Sequence, residues 1–409
     1  MLEFAILLLV LIIFPSILGR ILHIHKLFPI FFIQLLLGVL IANVSIAPHQ
    51  SIVEHLNFQF WSDSFGHLGW FGIACTIALS SSQASEYHHH QAERRFITIS
   101  VLGFSLTFLI NALCALFIAQ TNPELLGSSS HLTWFALSMG LSLSVTAVPI
   151  LVAILSDLNV TPLVKNTAIS AALLDDLWLW LGIGFVLSLS AKTGHPLNML
   201  ILLALYLISM FFVVKPAIQW FINTRTLDSG HQLLLVITII LMSSVATELI
   251  GLHSIFGIFI AGLIMPSTLL TQVRPALTDV CNMLFVPLFF VISGTKIHLD
   301  AIGWHFVLLL VLFSVIATGS KFLSVSFIAK RLGFSWPDAL TLGVLMQCKG
   351  LMELVVANVL LETGVISNFM FSILSIYALL STLFTTPIIQ LLNRYRHKKT
   401  LASPKPSVD

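Results

Sequence analysis

Only 9% of the 409 residues are charged and 57% are hydrophobic, with a formal net charge of +2, whereas a soluble domain carries roughly 25% charged residues. That balance excludes a soluble globular protein and places the chain among integral membrane proteins. No basic block points to a nucleic-acid partner, and the four cysteines (Cys75, Cys114, Cys281, Cys348), all in apolar runs, fit neither a disulfide framework nor a zinc site.

A membrane-spanning helix needs about 20 mostly apolar residues. Thirteen segments meet that condition: 2–19, 27–46, 65–81, 96–119, 132–156, 163–190, 196–222, 232–250, 253–270, 277–295, 303–329, 337–361 and 366–393. The first, opening MLEFAILLLVLIIFP, lacks the basic start and small-residue cleavage site of a signal peptide and reads as a span. After the thirteenth, residues 394–409 (RYRHKKTLASPKPSVD) read as a short basic tail without order. With thirteen spans and the N-terminus outside, fifteen of the nineteen Lys and Arg fall on the cytoplasmic side, from Arg20 and Lys26 through Arg94 and Arg95 to the tail; only Lys192 and Lys296 fall outside. Cytoplasmic loops collect basic residues, so this distribution sets the orientation, with a cytoplasmic C-terminus.

Six charges sit within spans: Asp175 and Asp176 in ISAALLDDLW, Glu248 near the outer end of span 8, Lys321, Lys349 and Glu353. A charge at mid-bilayer costs at least about 2.5–3.5 kcal/mol, so each needs a partner, water or a function. Lys349 and Glu353, spaced i, i+4, suit an internal salt bridge, and Lys349 also suits the negative end of a half-helix. Glu248, in TELIGLHS, reads as an interfacial acid near water. His88–His90, beside Glu86, read as a solvated loop, with metal binding or pH sensing as the alternative. Trp178 and Trp180 read as packing residues.

A shift of 203 residues lays Ala136-Leu137-x-x-Gly140 on Ala339-Leu340-x-x-Gly343 and Thr146 on Lys349, carrying spans 4, 5 and 6 onto 11, 12 and 13. Seven spans separate the partners, and an odd number means opposite directions through the membrane, the inverted repeat of many secondary transporters. Spans 5 and 12 are both interrupted at mid-length by poor helix formers, Ser142, Ser144, Thr146 and Pro149 in one and Gln347, Cys348, Lys349 and Gly350 in the other. Broken spans expose carbonyls and half-helix ends at mid-membrane, where transporters coordinate ions.

The segments SLSVTAVPILVAIL, AALLDDLWLWL, GLHSIFGIFIAGLIMP, NMLFVPLFFVISGTKI, SKFLSVSFIAKRLG and MQCKGLMELVVANVLLETGVI occur in the order of the monovalent cation:proton antiporter-2 family. The chain resembles its plant cation/proton exchanger branch and related bacterial proteins, over residues 132–393 above all. Two departures concern accessory contacts and regulation: the family's Gly-Pro end of the second span is GVLIANV here, and its acidic residue near the end of the third is replaced by the serines of IALSSSQAS.

The resemblance implies an all-α fold of two six-helix inverted repeats with crossed broken helices. The first repeat would be residues 1–190, the linker helix 196–222 and the second repeat 232–393, with spans 4–6 and 11–13 moving against a scaffold of spans 1–3 and 8–10 that dimerises. It further implies that Asp176 carries the cation and the proton, that Asp175 pairs with Lys321, and that Lys349 matches the basic residue of the second broken helix. It places the protein in the bilayer, most simply a bacterial inner membrane, as a transporter rather than an enzyme, with no cofactor.

Adjacent aspartates point about 100° apart on a helix, so one can face Lys321 while the other faces a cavity. A dehydrating monovalent cation, Na⁺ or K⁺, would be met by Asp176, the Thr146 hydroxyl and carbonyls near Ser144. A carboxylate that is either protonated or cation-bound gives exchange by competition, in an elevator cycle. If Asp175 and Lys321 separate when Asp176 is loaded, the lysine releases a second proton and exchange is electrogenic; a lysine that stays charged gives one-for-one exchange. Three other readings compete. A potassium efflux channel lacks a filter segment such as TVGYG. An intramembrane aspartyl protease needs acids on separate segments. A non-transporting sensor on the same fold is separated only by a transport assay.

Overall fold

The computed structural model describes residues 11–12, 30–43, 45–47, 50–51, 58–87, 94–128, 131–158, 160–190, 196–225, 228–297 and 303–402. Most of the expected first span, the His88–His90 stretch and the end of the tail, 403–409, lie outside them. Helix α1 (Ile30–Asn43) leads to a two-stranded antiparallel strip, β1 (Ser45–Ala47) and β2 (Gln50–Ser51), which with the isolated bridge between Leu126 and Ile366 is the strand pairing among the described residues. There follow α2 (Phe58–Tyr87), α3 (Arg94–Thr121), α4 (Leu132–Ser142), α5 (Val148–Asp157) and α6 (Pro162–Ser190). Helix α7 (Pro196–Ser209) continues through a π turn into α8 (Lys215–Thr224), and α9 (Ser229–Ile250) precedes α10 (Ser254–Ile264). Next, α11 (Ser267–Val280) continues through a second π turn into α12 (Val286–Thr295). The chain ends with α13 (Trp304–Arg331), α14 (Trp336–Leu345), α15 (Gly350–Glu362) and α16 (Asn368–Ala402).

Among the described residues seven helices are long and apolar enough to cross a membrane, and the pair α14–α15, bent by 42° at its break, is long and apolar enough to make an eighth if it is one span. The π turns, Met210–Val214 and Cys281–Phe285, each stand directly before a Lys-Pro or Val-Pro step (Pro216, Pro287). Proline lacks an N–H and its ring clashes with the carbonyl four residues back; one widened turn absorbs both defects and keeps the long helix continuous.

Three boundaries differ from the sequence reading. Span 9, expected to run 253–270, ends at Ile264. Pro266 holds Met265 extended (φ −64°, ψ 130°), and residues from Ser267 onward join the next helix, which then runs unbroken to Thr295. The third span is longer than 65–81, reaching Tyr87. The basic tail is not without order: α16 runs past Arg394 to Ala402, because nothing in RYRHKKTLA breaks a helix.

The helices pack in two sets. One is α1, α2 and α9–α12, with α1 on α12, α10 on α2 and α9 on α10; the other is α3–α6 and α13–α16, with α3 against α4, α6 and α13, α5 against α6, and α15 against α16. In the first set Gly38 of α1 and Gly294 of α12 face each other so closely that a methyl on either would strike the other helix's backbone, the close approach that small residues permit in membranes. In the second set the two broken helices meet. The chain leaves α4 at Leu143, is extended at Ala147, and starts α5 with Pro149 in its first turn. It leaves α14 at Met346 and starts α15 at Gly350. The breaks touch: Ala147 N donates to Cys348 O at 2.7 Å, and the Thr146 hydroxyl to Met346 O at 2.9 Å.

Gly350 is the pivot of this contact. Its φ of +49° suits glycine, and a Cβ there would overlap Ile150 Cδ1 of α5. A left-handed non-glycine residue costs about 1–2 kcal/mol, and overpacking costs about 1–3 kcal/mol more. Gly350→Ala should therefore lower the melting temperature in detergent, and Ile150→Val on that background should recover the packing share but not the backbone share; equal melting of Gly350→Ala and the parent would show that the crossing is looser than described.

Candidate functional site

Helix α6 carries both aspartates into the centre of the second helix set, where Asp175 is wholly buried and Asp176 is 3% exposed. Asp175 is saturated. Its Oδ2 accepts from Lys321 Nζ of α13 at 2.6 Å and from the Thr146 hydroxyl of the first break at 3.1 Å, and its Oδ1 accepts from the Ser100 hydroxyl of α3 at 2.8 Å. Lys321, also fully buried, gives a second hydrogen bond to Ser144 O at 2.6 Å and lies 5.6 Å from the Phe104 ring centre. Four elements are thus pinned to one carboxylate–ammonium pair. Asp176 has the opposite environment: its Oδ1 is buried with no hydrogen-bonding partner among the described residues.

A second polar cluster lies at the same crossing. Lys349 Nζ donates to Leu143 O at 2.5 Å and Val145 O at 2.9 Å, carbonyls that the end of α4 leaves without helical partners. Glu353 accepts the Ser142 hydroxyl on Oε1 at 2.6 Å, while its Oε2 stands 4.0 Å from Lys349 Nζ. Lys349 is therefore bonded chiefly to the opposing half-helix end, where a cation is favoured, and its i, i+4 contact with Glu353 is a long one.

The structure brings Asp175, Lys321, Thr146 and Ser144 together, and separately Lys349 and Glu353. It does not give Thr146 and Ser144 to Asp176. The Thr146 hydroxyl shares its one proton between Asp175 and Met346 O, the Ser144 hydroxyl donates to Gly140 O at 2.6 Å and the Ser144 carbonyl accepts from Lys321. The reason is the helical divergence of adjacent residues: the first break lies on the Asp175 side of α6. Of the remaining candidates, Trp180 packs near Phe259 with ring centres 6.5 Å apart, whereas Trp178 is 39% exposed. Glu248 is exposed and lines a cavity of about 890 Å³ with Asp63, His67, His253, Lys296 and Glu362.

Ser100 was not singled out by sequence reading. Its signal is a stripe: Ser100, Thr107 and Asn111 recur on one face of α3, all buried, and Asn111 donates to Ser320 of α13 at 3.1 Å, one residue before Lys321. Polar residues at helical spacing on a buried face mark a polar neighbour.

A paired aspartate and lysine at the crossing of two broken helices is the arrangement the sequence motifs implied, and residues 4–393 match the family model for the sodium/hydrogen exchanger, transmembrane. The chain belongs to that family. It is accordingly an integral, multi-pass membrane protein. The K(+)/H(+) antiporter 1 of Saccharomyces cerevisiae is 31% identical over 336 residues, covering 76% of this chain and 38% of the yeast protein. The cation/H(+) antiporter 15 of Arabidopsis thaliana is 33% identical over 310 residues, covering 73% and 37%. The Na(+)/H(+) antiporter NhaS4 of a Synechocystis strain is 26% identical over 372 residues, covering 86% of this chain and 89% of that one. The chain thus spans less than two fifths of the yeast and plant relatives' length and most of the cyanobacterial one's. The sodium proton antiporter MjNhaP1 of Methanocaldococcus jannaschii shares the fold, with a TM-score of 0.69 over 96% of this chain and 98% of that one at 15% identity.

The Asp175–Lys321 pair generates a stability prediction. Lys321→Ala leaves a buried carboxylate with its hydroxyl partners only, at a cost of about 3–5 kcal/mol, and Asp175→Asn on that background should restore part of the loss. Thermal unfolding in detergent measures both; strictly additive losses would mean that the two side chains do not interact. Ser100→Ala should cost less, about 1–3 kcal/mol for one unmet acceptor.

Proposed function

We propose that this chain is a secondary antiporter exchanging a monovalent cation, Na⁺ or K⁺, for H⁺, with Asp176 as the shared carrier. The observation that carries the reading is the division of labour on α6. One lysine serves two adjacent buried aspartates and is spent on Asp175, leaving Asp176 with a buried oxygen that has no partner among the described residues. A buried carboxylate without compensation is costly by several kcal/mol, so Asp176 is occupied in turn by a proton or by a cation, and the two compete. The family and the activities named for the yeast, plant and cyanobacterial relatives support the same exchange.

In this reading the chain has thirteen spans in two inverted repeats, 1–190 and 232–393, joined by the linker helix 196–222. The N-terminus is outside and the C-terminus cytoplasmic, in a bacterial inner membrane. The matched breaks at Leu143–Ala147 and Met346–Lys349, near the 203-residue offset, support the repeat. The set holding Asp176 moves as an elevator against the set of α1, α2 and α9–α12, which pairs with a second copy in the lipid bilayer. During the cycle Thr146 and the carbonyls around Ser144 leave their present partners to complete the cation's oxygen shell, while Lys349 and Glu353 hold the half-helix ends. Separation of Asp175 from Lys321 on cation binding lets the lysine give up a proton, so two protons move against one cation.

Two experiments in proteoliposomes test this. Asp176→Asn should abolish cation-driven proton flux while the purified protein keeps its elution profile and melting temperature; flux near the parent rate would remove Asp176 as carrier. With a clamped membrane potential and Na⁺ as the transported ion, exchange should respond to voltage, since one net charge is worth about 2.3 kcal/mol per 100 mV; a rate indifferent to potential would make the exchange neutral.

A further inference from the structure

Outside the Asp175–Asp176 centre, the cavity of about 890 Å³ between α2, α9, α10 and α12 holds several charged groups that the mechanism above does not use. Its edge toward α15 is a set of four hydrogen bonds between the two helix sets. Lys296, at the end of α12, donates from Nζ to Asn358 Oδ1 of α15 at 2.8 Å and to Glu362 Oε1 of α15 at 3.3 Å. Trp70 Nε1 of α2 donates to the same Glu362 oxygen at 3.2 Å. Asn358 Nδ2 donates to Ser293 Oγ of α12 at 2.9 Å. Surface exposure along α15 ends here: the Glu362 side chain is 41% exposed, Asn358 one turn deeper is 1% exposed, and the helix below it is buried as far as Gly350.

We infer that Lys296 and Glu362 are the outer gate of the exchange cycle, a latch between α15 and the α2–α12 pair that separates the cavity from the ion path. The inference rests on the antiport reading above, in which α15 moves relative to α12. A slide of one residue along a helix axis is about 1.5 Å, enough to break every one of these hydrogen bonds, so the latch opens whenever α15 moves. The chemistry suits a gate for cations. While closed, it presents an ammonium where a cation would pass; once Lys296 lets go, the Glu362 carboxylate is left facing the cavity with Asp63 and Glu248, a lining of the opposite sign. Lys296 and Glu362 are thus positioning residues for transport that never touch Asp176.

The test is a cross-link. The double variant Lys296→Cys, Glu362→Cys, reconstituted in proteoliposomes, is bridged with a short membrane-impermeant bis-methanethiosulfonate, with each single variant as control. Exchange in the reduced double variant shows that the antiport reading stands. Bridging should then lower its rate by about tenfold or more, as expected when a gating motion is blocked, and a reductant should restore it. Full bridging with unchanged exchange overturns the gate while leaving antiport intact, and failure to bridge shows that the two positions do not meet and overturns it too. A second readout needs no transport: Leu354→Cys, on the turn beneath Asn358, is labelled from outside by an impermeant maleimide. Adding Glu362→Gln should speed that labelling by about tenfold if the latch controls access; an unchanged rate overturns the gate.

Discussion

One buried lysine set against two adjacent buried aspartates is the constraint on which the rest of this protein depends. Lys321 neutralises Asp175 at 2.6 Å and leaves Asp176 Oδ1 without a partner among the described residues. The pair could not sit in the bilayer unaided, since taking two charges out of water is expensive unless further hydrogen bonds meet the remaining lone pairs and protons. Ser100 of α3, and Thr146 and the Ser144 carbonyl of the first break, supply those bonds. The electrostatics of the centre and the packing of α3, α6, α13 and the first break are therefore one problem with one solution.

The broken helices follow from the same logic. Interrupting a helix at mid-membrane leaves carbonyls that lipid cannot satisfy. Here the carbonyls of the first break go to two ammonium groups, Lys321 and Lys349, and the second break takes an N–H and a hydroxyl from the first. Each break is held by the other. Gly350 lets them approach, and the fit of Ile150 against it sets how closely. In the proposed exchange, a cation arriving at Asp176 would compete with protons for the carboxylate and with the lysines for the nearby carbonyls, which would couple ion binding to rearrangement of the crossing.

Much of this was legible in the sequence because charge is so rare in it. Asp175, Asp176, Lys321, Lys349 and Glu353 stand out against apolar neighbours, and serines, glycine and proline at mid-span announce the breaks. What was hidden is partnership. A hydroxyl such as Ser100 is unremarked in a membrane span, where serine readily bonds to its own helix, and only its register with Thr107 and Asn111 hints at a buried polar neighbour. The sequence reading gave Thr146 to the cation; in the structure it bonds to Asp175, because residue order along a chain does not say which of two diverging carboxylates a distant loop will meet. The boundary at Ile264 was missed because hydropathy averages across Met265-Pro266, whereas backbone geometry does not.

The central claim, that proton and cation compete for Asp176, is tested most directly by equilibrium cation binding to the purified protein across a pH series, by calorimetry with Na⁺ and with K⁺. Competition at Asp176 predicts that, on the acid side, the apparent Kd of the bound cation rises by at least about tenfold for each unit of falling pH, and by up to about a hundredfold where Lys321 also gives up its proton on binding, and that Asp176→Asn removes the binding. An affinity that does not change with pH, or that survives in Asp176→Asn, would contradict the account.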